Sequence, residues 1–133
     1  MFAESDLILV VDDVQSGCDE ISPLFGRIGC RTRLVTSIEQ ALSVLNDKMV
    51  AVAMLGNGLL RRDALGILEK IREISPNTEV IVTDCNSPPD GGSETIREKT
   101  YDYLRKPFED LEDVLATVQR ALEKGRGYIW PRA

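Results

Sequence analysis

The segment LILVV at residues 7–11 constrains the fold most, because all five residues are apolar and two aspartates follow at once. A strand that is apolar on both faces must be covered on both faces, as in a parallel sheet flanked by helices. Similar apolar runs occupy residues 49–55 and 80–82, and segments with helical spacing stand between them. This alternation predicts an α/β fold: a doubly wound five-stranded parallel sheet flanked by five helices.

The predicted strands are residues 7–11, 31–35, 49–55, 79–82 and 101–104. The predicted helices are residues 15–28, a helix capped by Ser37, a helix opened by Asp63, a short helix at 94–99, and residues 109–123. Pro23 should kink or shorten the first helix, and Gly29 suits its C-terminal end. We expect one domain over residues 1–125, followed by a tail or the start of a linker over 126–133.

Composition narrows the function classes. The 133 residues contain no apolar stretch near the roughly 20 residues that cross a bilayer, and the N-terminus shows no signal-peptide pattern. We therefore expect a soluble, cytoplasmic protein without membrane contact. A net charge of -6 argues against direct nucleic acid binding, and the absence of histidine excludes Ser-His and Cys-His catalysis. No enzymatic activity is expected. Cys18, Cys30 and Cys85 are expected to be free thiols.

Charged and polar residues follow four of the predicted strands, where α/β folds of this type place their sites. These residues are Asp12-Asp13, Gly56-Asn57, Thr83-Asp84 and, just past the fifth strand, Lys106-Pro107. Adjacent carboxylates favour a hard cation such as Mg²⁺, and a lysine favours a phosphoryl group or a carboxylate.

Over residues 6–124 the sequence resembles the receiver domain of bacterial two-component response regulators, the chemotaxis-regulator-like fold. The resemblance lies in LILVVDDV at 7–14, Thr83, DYLRKPF at 102–108, and DALGILEKIR at 63–72. It implies phosphorelay signal transduction and a flavodoxin-like sheet with strand order 2-1-3-4-5. It also implies a histidine kinase or an output domain as partner, and it is compatible with a homodimer through the face built from the fourth helix, the fifth strand and the fifth helix.

The resemblance also implies the roles of individual residues. Asp12 and Asp13 would bind Mg²⁺, and Thr83 and Lys106 would hold the phosphoryl group. Tyr103 would be the aromatic residue that moves on activation. The Lys106-Pro107 bond would be cis, which proline tolerates at low cost.

The phosphoacceptor does not carry over, because its position falls on Gly56, or on Asn57 in the alternative register. Neither residue has a carboxylate nucleophile. We therefore predict a pseudo-receiver that is not phosphorylated at the usual site and acts through protein-protein contacts, with a weak or vestigial Mg²⁺ site. Asp84 stands where the family has a small residue, and we expect it to pair with Lys106.

Two other functions stay open at this point. The chain is a conventional regulator if another carboxylate, Asp13 or Asp84, accepts the phosphoryl group. It is a small phosphatase or phosphotransferase if an aspartate after the first strand is a nucleophile. Those enzymes separate two aspartates by one residue, whereas Asp12 and Asp13 are adjacent, so their side chains diverge.

Overall fold

A computed structural model describes residues 7–12, 18–56, 59, 63–83, 102–104 and 111–125, with the backbone alone at 18–21, 64, 102–104 and 125. The strands are β1 (Leu7–Val11), β2 (Arg31–Val35), β3 (Val52–Gly56), β4 (Glu79–Thr83) and β5 (Asp102–Leu104). The helices of the described residues are α1 (Cys18–Gly26), α2 (Ile38–Asp47), α3 (Ala64–Ile74) and α4 (Leu111–Gly125).

The five strands form one parallel sheet in the order β2-β1-β3-β4-β5, which confirms the predicted fold class and strand order. The chain first adds β2 on one side of β1 and then returns to add β3 on the other side. The order of the sheet therefore reverses between β1 and β3. In folds of this type, sites lie at such a switch point, outside the carboxyl ends of the strands.

Helices cover both faces of the sheet, which explains why β1, β3 and β4 are buried along their whole length. Leu7, Leu9 and Val11 of β1 pack on the face covered by α2 and α3, and Ile8 and Val10 pack on the opposite face. The helical residues buried in the first layer are Ala41, Val44, Leu45, Leu68 and Ile71. Those in the second layer are Leu24, Phe25, Val114, Leu115, Val118, Ala121 and Leu122.

Two helices begin where the sequence predicted them, at side chains that cap their first turns. Ser37 accepts a hydrogen bond from the Gln40 N–H at 3.2 Å, and Asp63 accepts one from the Gly66 N–H at 3.0 Å. These oxygens satisfy backbone donors that have no partner within the helix. None of the described helices has the length and apolarity needed to cross a membrane.

The end of α1 is shaped by Gly29, which has a φ of 79°. Cys30 N–H donates to the Phe25 carbonyl, and Gly29 N–H donates to the Gly26 carbonyl, both at 3.1 Å. This pair of bonds is the Schellman arrangement, in which a left-handed residue ends the helix. The helical segment is nine residues long and contains Pro23.

The boundaries of β3 differ from the prediction of residues 49–55. The strand begins at Val52, because pairing with β1 begins at Ile8↔Val52, and Met49 before it is 90% exposed. At its other end the strand continues to Gly56, which pairs with Thr83 of β4. The prediction from apolar character alone therefore began the strand three residues too early and ended it one residue too early.

Smaller differences concern the other elements. Strand β4 extends through Thr83, and α4 runs to Gly125 rather than ending at residue 123. The predicted helix at 94–99 lies outside the described residues. Four of the five predicted helices are therefore present in the part of the chain that the structure describes.

We expect Gly29→Ala to lower the free energy of unfolding by about 1–2 kcal/mol, because a Cβ is unfavourable in the left-handed region. Gly26→Ala is the matched control, since a Cβ on Gly26 would meet no atom within 4 Å. Chemical denaturation of both variants measures the difference. Equal stability of the two variants would contradict the role of Gly29 in ending α1.

Candidate functional site

The parallel register brings the predicted site residues of three strands to one edge of the sheet. Val11 pairs with Leu55, and Gly56 pairs with Thr83. Asp12 follows Val11 directly, so its carboxylate, the end of β3 and the Thr83 hydroxyl are neighbours. This is the switch point between β1 and β3, where the fold places a site.

Asp12 is 6% exposed although it is charged, and its backbone N–H donates to the Val35 carbonyl at 3.1 Å. Its side chain lies over the end of β3. A Cβ built on Gly56 would stand 3.1 Å from Asp12 Oδ1 and 3.2 Å from Asp12 Cγ. The carboxylate therefore lies in tight contact with the position where a side chain at residue 56 would begin.

Thr83 is the last residue of β4, and it is 4% exposed. Its Oγ1 donates to the Leu55 carbonyl at 3.4 Å. Hydroxyl hydrogen bonds are usually about 2.7–2.8 Å long, so this one is weak. The hydroxyl is thus turned toward β3 by a contact that costs little to break.

The remaining predicted site residues are only partly covered by the structure. Tyr103 lies in β5, with its backbone paired to Val82. Asp13, Asn57, Asp84, Lys106 and Pro107 lie outside the described residues. The Asp84–Lys106 pair, the cis peptide bond and the movement of Tyr103 therefore stay predictions.

The predicted Mg²⁺ site requires oxygen ligands at this edge of the sheet. Magnesium takes about six oxygen ligands in octahedral geometry, often including one or two carboxylates. Among the described residues, Asp12 is the acidic side chain at this edge, and Gly56 offers no side-chain oxygen. Within the same residues no group of three or more His, Cys, Asp or Glu side chains is placed to hold a metal. The described side chains therefore supply one ligand and do not form a magnesium site by themselves.

A second group of charged side chains lies at the opposite, amino edge of the sheet. It was not predicted from the sequence. Glu79 opens β4 with its side chain only 6% exposed, and Oε1 lies 3.7 Å from both Arg72 Nη2 and Lys124 Nζ. Within the described part of the chain, Oε1 accepts no hydrogen bond. The signal in the sequence is an acidic residue at the start of an otherwise apolar strand, with basic residues in the last turns of two helices.

The one cysteine whose side chain is described, Cys30, is a free thiol in the core beside Phe25. Burial raises the pKa of this thiol above 9.0. The thiol is therefore protonated at neutral pH and a poor nucleophile.

The response regulator receiver domain family matches residues 8–119 of the chain. The chain belongs to this family. It is thus a receiver domain of the kind used in two-component systems.

Individual relatives support the same assignment. The chain is 28% identical over 115 residues to the transcriptional regulatory protein ZraR of Escherichia coli K12, covering 86% of this chain and 26% of ZraR. The structure of NtrX from Brucella abortus is 27% identical, with a TM-score of 0.73 over 90% of this chain and 27% of NtrX. The receiver domain of NtrC4 is 24% identical, with a TM-score of 0.75 over 90% of this chain and 98% of that domain. The chain spans about a quarter of the length of the curated relatives that it matches.

Proposed function

We propose that this receiver domain is a pseudo-receiver: it is not phosphorylated at the end of β3, and it signals through protein-protein contacts. The observation that supports this most directly is Gly56, which ends β3 beside Asp12 and opposite Thr83. Receiver domains are generally signalling modules rather than enzymes, and they interact with kinases and output domains. Without an acceptor, the domain is not phosphorylated at this position, but it keeps the surfaces that contact other proteins.

The chemistry at the strand end supports this proposal. Glycine has no side chain that could attack a phosphoryl group, and the nearest described carboxylate is that of Asp12. The nearest atom of that carboxylate lies 3.1 Å from the position that a Cβ of residue 56 would take. The last residue of β3 therefore presents no carboxylate of its own to a phosphoryl donor.

The proposal also includes the other site residues, the bounds of the domain and its partner. Thr83, Lys106 and Tyr103 keep the positions of the phosphoryl-binding and switch residues, and Asp12 with Asp13 keeps a weak or vestigial Mg²⁺ site. Residues 1–125 form the receiver domain, and residues 126–133 form a tail or linker. The partner is a kinase, an output domain or a second copy, since the NtrC4 receiver neighbour was solved as a dimer.

We expect no phosphoryl uptake when the wild-type chain is incubated with Mg²⁺ and acetyl phosphate, because position 56 lacks a nucleophile. Intact-mass spectrometry detects the addition of one phosphoryl group. A receiver with an intact acceptor aspartate, treated in parallel, shows that the donor is active.

Phosphoryl uptake by the wild type would contradict the proposal, and peptide mapping would then locate the modified residue. A phosphoryl group on Asp13 or Asp84 would identify a conventional regulator with a displaced acceptor. Turnover of the donor without a modified protein would instead indicate a phosphatase.

A further inference from the structure

The end of β3 differs from a receiver site that has simply lost one side chain. A deleted side chain would leave free space above the Cα of residue 56, and an aspartate could be restored there without other changes. In this structure the space is filled, because three atoms of the Asp12 carboxyl group lie within 3.5 Å of the position that a Cβ would take. Contacts of 3.1 and 3.2 Å are tight, so the Asp12 carboxyl group would have to move by a few tenths of an ångström to admit a Cβ.

We propose that Gly56 is a positioning residue for Asp12: the missing Cβ is what allows the Asp12 carboxylate to lie over the end of β3. The Asp12 carboxylate, which is 6% exposed, is then the charged group that contacts this strand end among the described residues. The inference deepens the proposed function, since it treats the site as unphosphorylated. Its steric part depends only on the two residues themselves.

The backbones that carry the two residues are held in place by the sheet. Asp12 is 6% exposed, and its N–H is bonded to the Val35 carbonyl of β2, so the backbone under the carboxylate is tied to the neighbouring strand. Gly56 is buried between β1 and β4 and is paired with Thr83. Because both backbones are fixed by the sheet, the strain of an added side chain falls on the Asp12 carboxylate.

A double-mutant cycle tests the coupling between the two positions. Gly56→Ala is expected to lower the midpoint of thermal unfolding by a few degrees when Asp12 is present. In the Asp12→Ala background the same substitution is expected to have no such effect, because the carboxylate that it displaces is gone. Gly26→Ala, made in both backgrounds, is the matched control, since its Cβ meets no atom within 4 Å.

A direct readout of the Asp12 side chain keeps the test valid if Asp12→Ala does not fold. The carbon-13 signal of the Asp12 carboxyl group should move in Gly56→Ala and stay in place in Gly26→Ala. Equal shifts in midpoint in the two backgrounds, or an Asp12 carboxyl signal that is unchanged by Gly56→Ala, would overturn the inference.

The two proposals fail separately. Phosphoryl uptake by the wild type would overturn the proposed function and leave the cycle between Gly56 and Asp12 unaffected. Conversely, an absence of coupling in the cycle would overturn the positioning role, while a chain that still takes up no phosphoryl group would remain a pseudo-receiver.

Discussion

Replacing Arg72 and Lys124 together with methionine is expected to lower the free energy of unfolding by about 3–5 kcal/mol. Both cations lie 3.7 Å from Glu79 Oε1, and the Glu79 side chain is only 6% exposed. Without them the carboxylate is a buried charge that has no compensating cation among the described residues. The methionine side chains keep most of the apolar volume, so the loss reports mainly on charge.

The two cations should contribute unequally. Lys124 is 62% exposed, so solvent screens its interaction, and Lys124→Met alone should cost well under 1 kcal/mol. Arg72 is 28% exposed and also donates to the Pro76 carbonyl at 3.1 Å, so Arg72→Met alone should cost more. The double variant should lose more than the sum of the two, because only then does Glu79 lack both cations.

Urea denaturation in the presence and absence of Glu79→Gln tests this explanation. With a neutral amide in place of the carboxylate, removing both cations should cost much less, because no charge is left uncompensated. Lys70→Met, which removes an exposed lysine from α3, controls for the change in net charge. A loss of the same size in the Glu79→Gln background would show that the cations act through other contacts.

Gly56→Asp is expected to lower the free energy of unfolding by about 2–4 kcal/mol in the absence of divalent cations. The new carboxylate would begin at a Cβ 3.1 Å from Asp12 Oδ1, in a buried position. Two like charges about 4 Å apart repel by roughly 4 kcal/mol at a surface-like dielectric, before the side chains relax. The substitution that would restore the acceptor therefore begins with a loss of stability.

Magnesium should reverse much of this loss in Gly56→Asp and have less effect on the wild type. The carboxylate introduced by Gly56→Asp lies beside Asp12 and supplies a ligand that the wild-type position 56 lacks. A cation bound between the two carboxylates removes their repulsion. Ligand at about 100 times its Kd stabilises the folded state by about 2.7 kcal/mol. Thermal denaturation with and without Mg²⁺ measures both effects.

Gly56→Asn separates charge from size, because its amide has nearly the same shape as the carboxylate. It should cost less than Gly56→Asp without Mg²⁺ and should gain nothing when Mg²⁺ is added. A gain in stability for Gly56→Asp without Mg²⁺ would contradict the prediction. It would indicate that a cation, of which Lys106 is the candidate in the sequence, reaches the new carboxylate.

Much of the fold follows from local features of the sequence. The run at Leu7–Val11 predicted a central parallel strand, because only a strand covered on both faces is apolar throughout. Ser37 and Asp63 predicted two helix starts, since capping depends on a side chain and the backbone two to three residues away. That residue 56 cannot accept a phosphoryl group was likewise evident from residue type alone, because glycine has no side-chain nucleophile.

The sequence was less informative wherever the outcome depends on contacts between distant segments. The start of β3 was misplaced, because pairing with β1, and not hydrophobicity, decides that Val52 is its first residue. The group formed by Glu79, Arg72 and Lys124 was missed because two of its members come from helices on different faces of the sheet. Only packing of the folded chain brings their side chains together.

The end of β3 shows most clearly what the sequence determines and what only the tertiary structure determines. The sequence by itself determined that position 56 is a glycine in a receiver fold and therefore cannot be a phosphoacceptor. Only the tertiary structure decided that the Asp12 carboxylate lies 3.1 Å from the position that a Cβ of residue 56 would take, because the parallel register sets β1 beside β3. Residue type is local, but which side chain fills a given space depends on how strands far apart in the sequence are aligned.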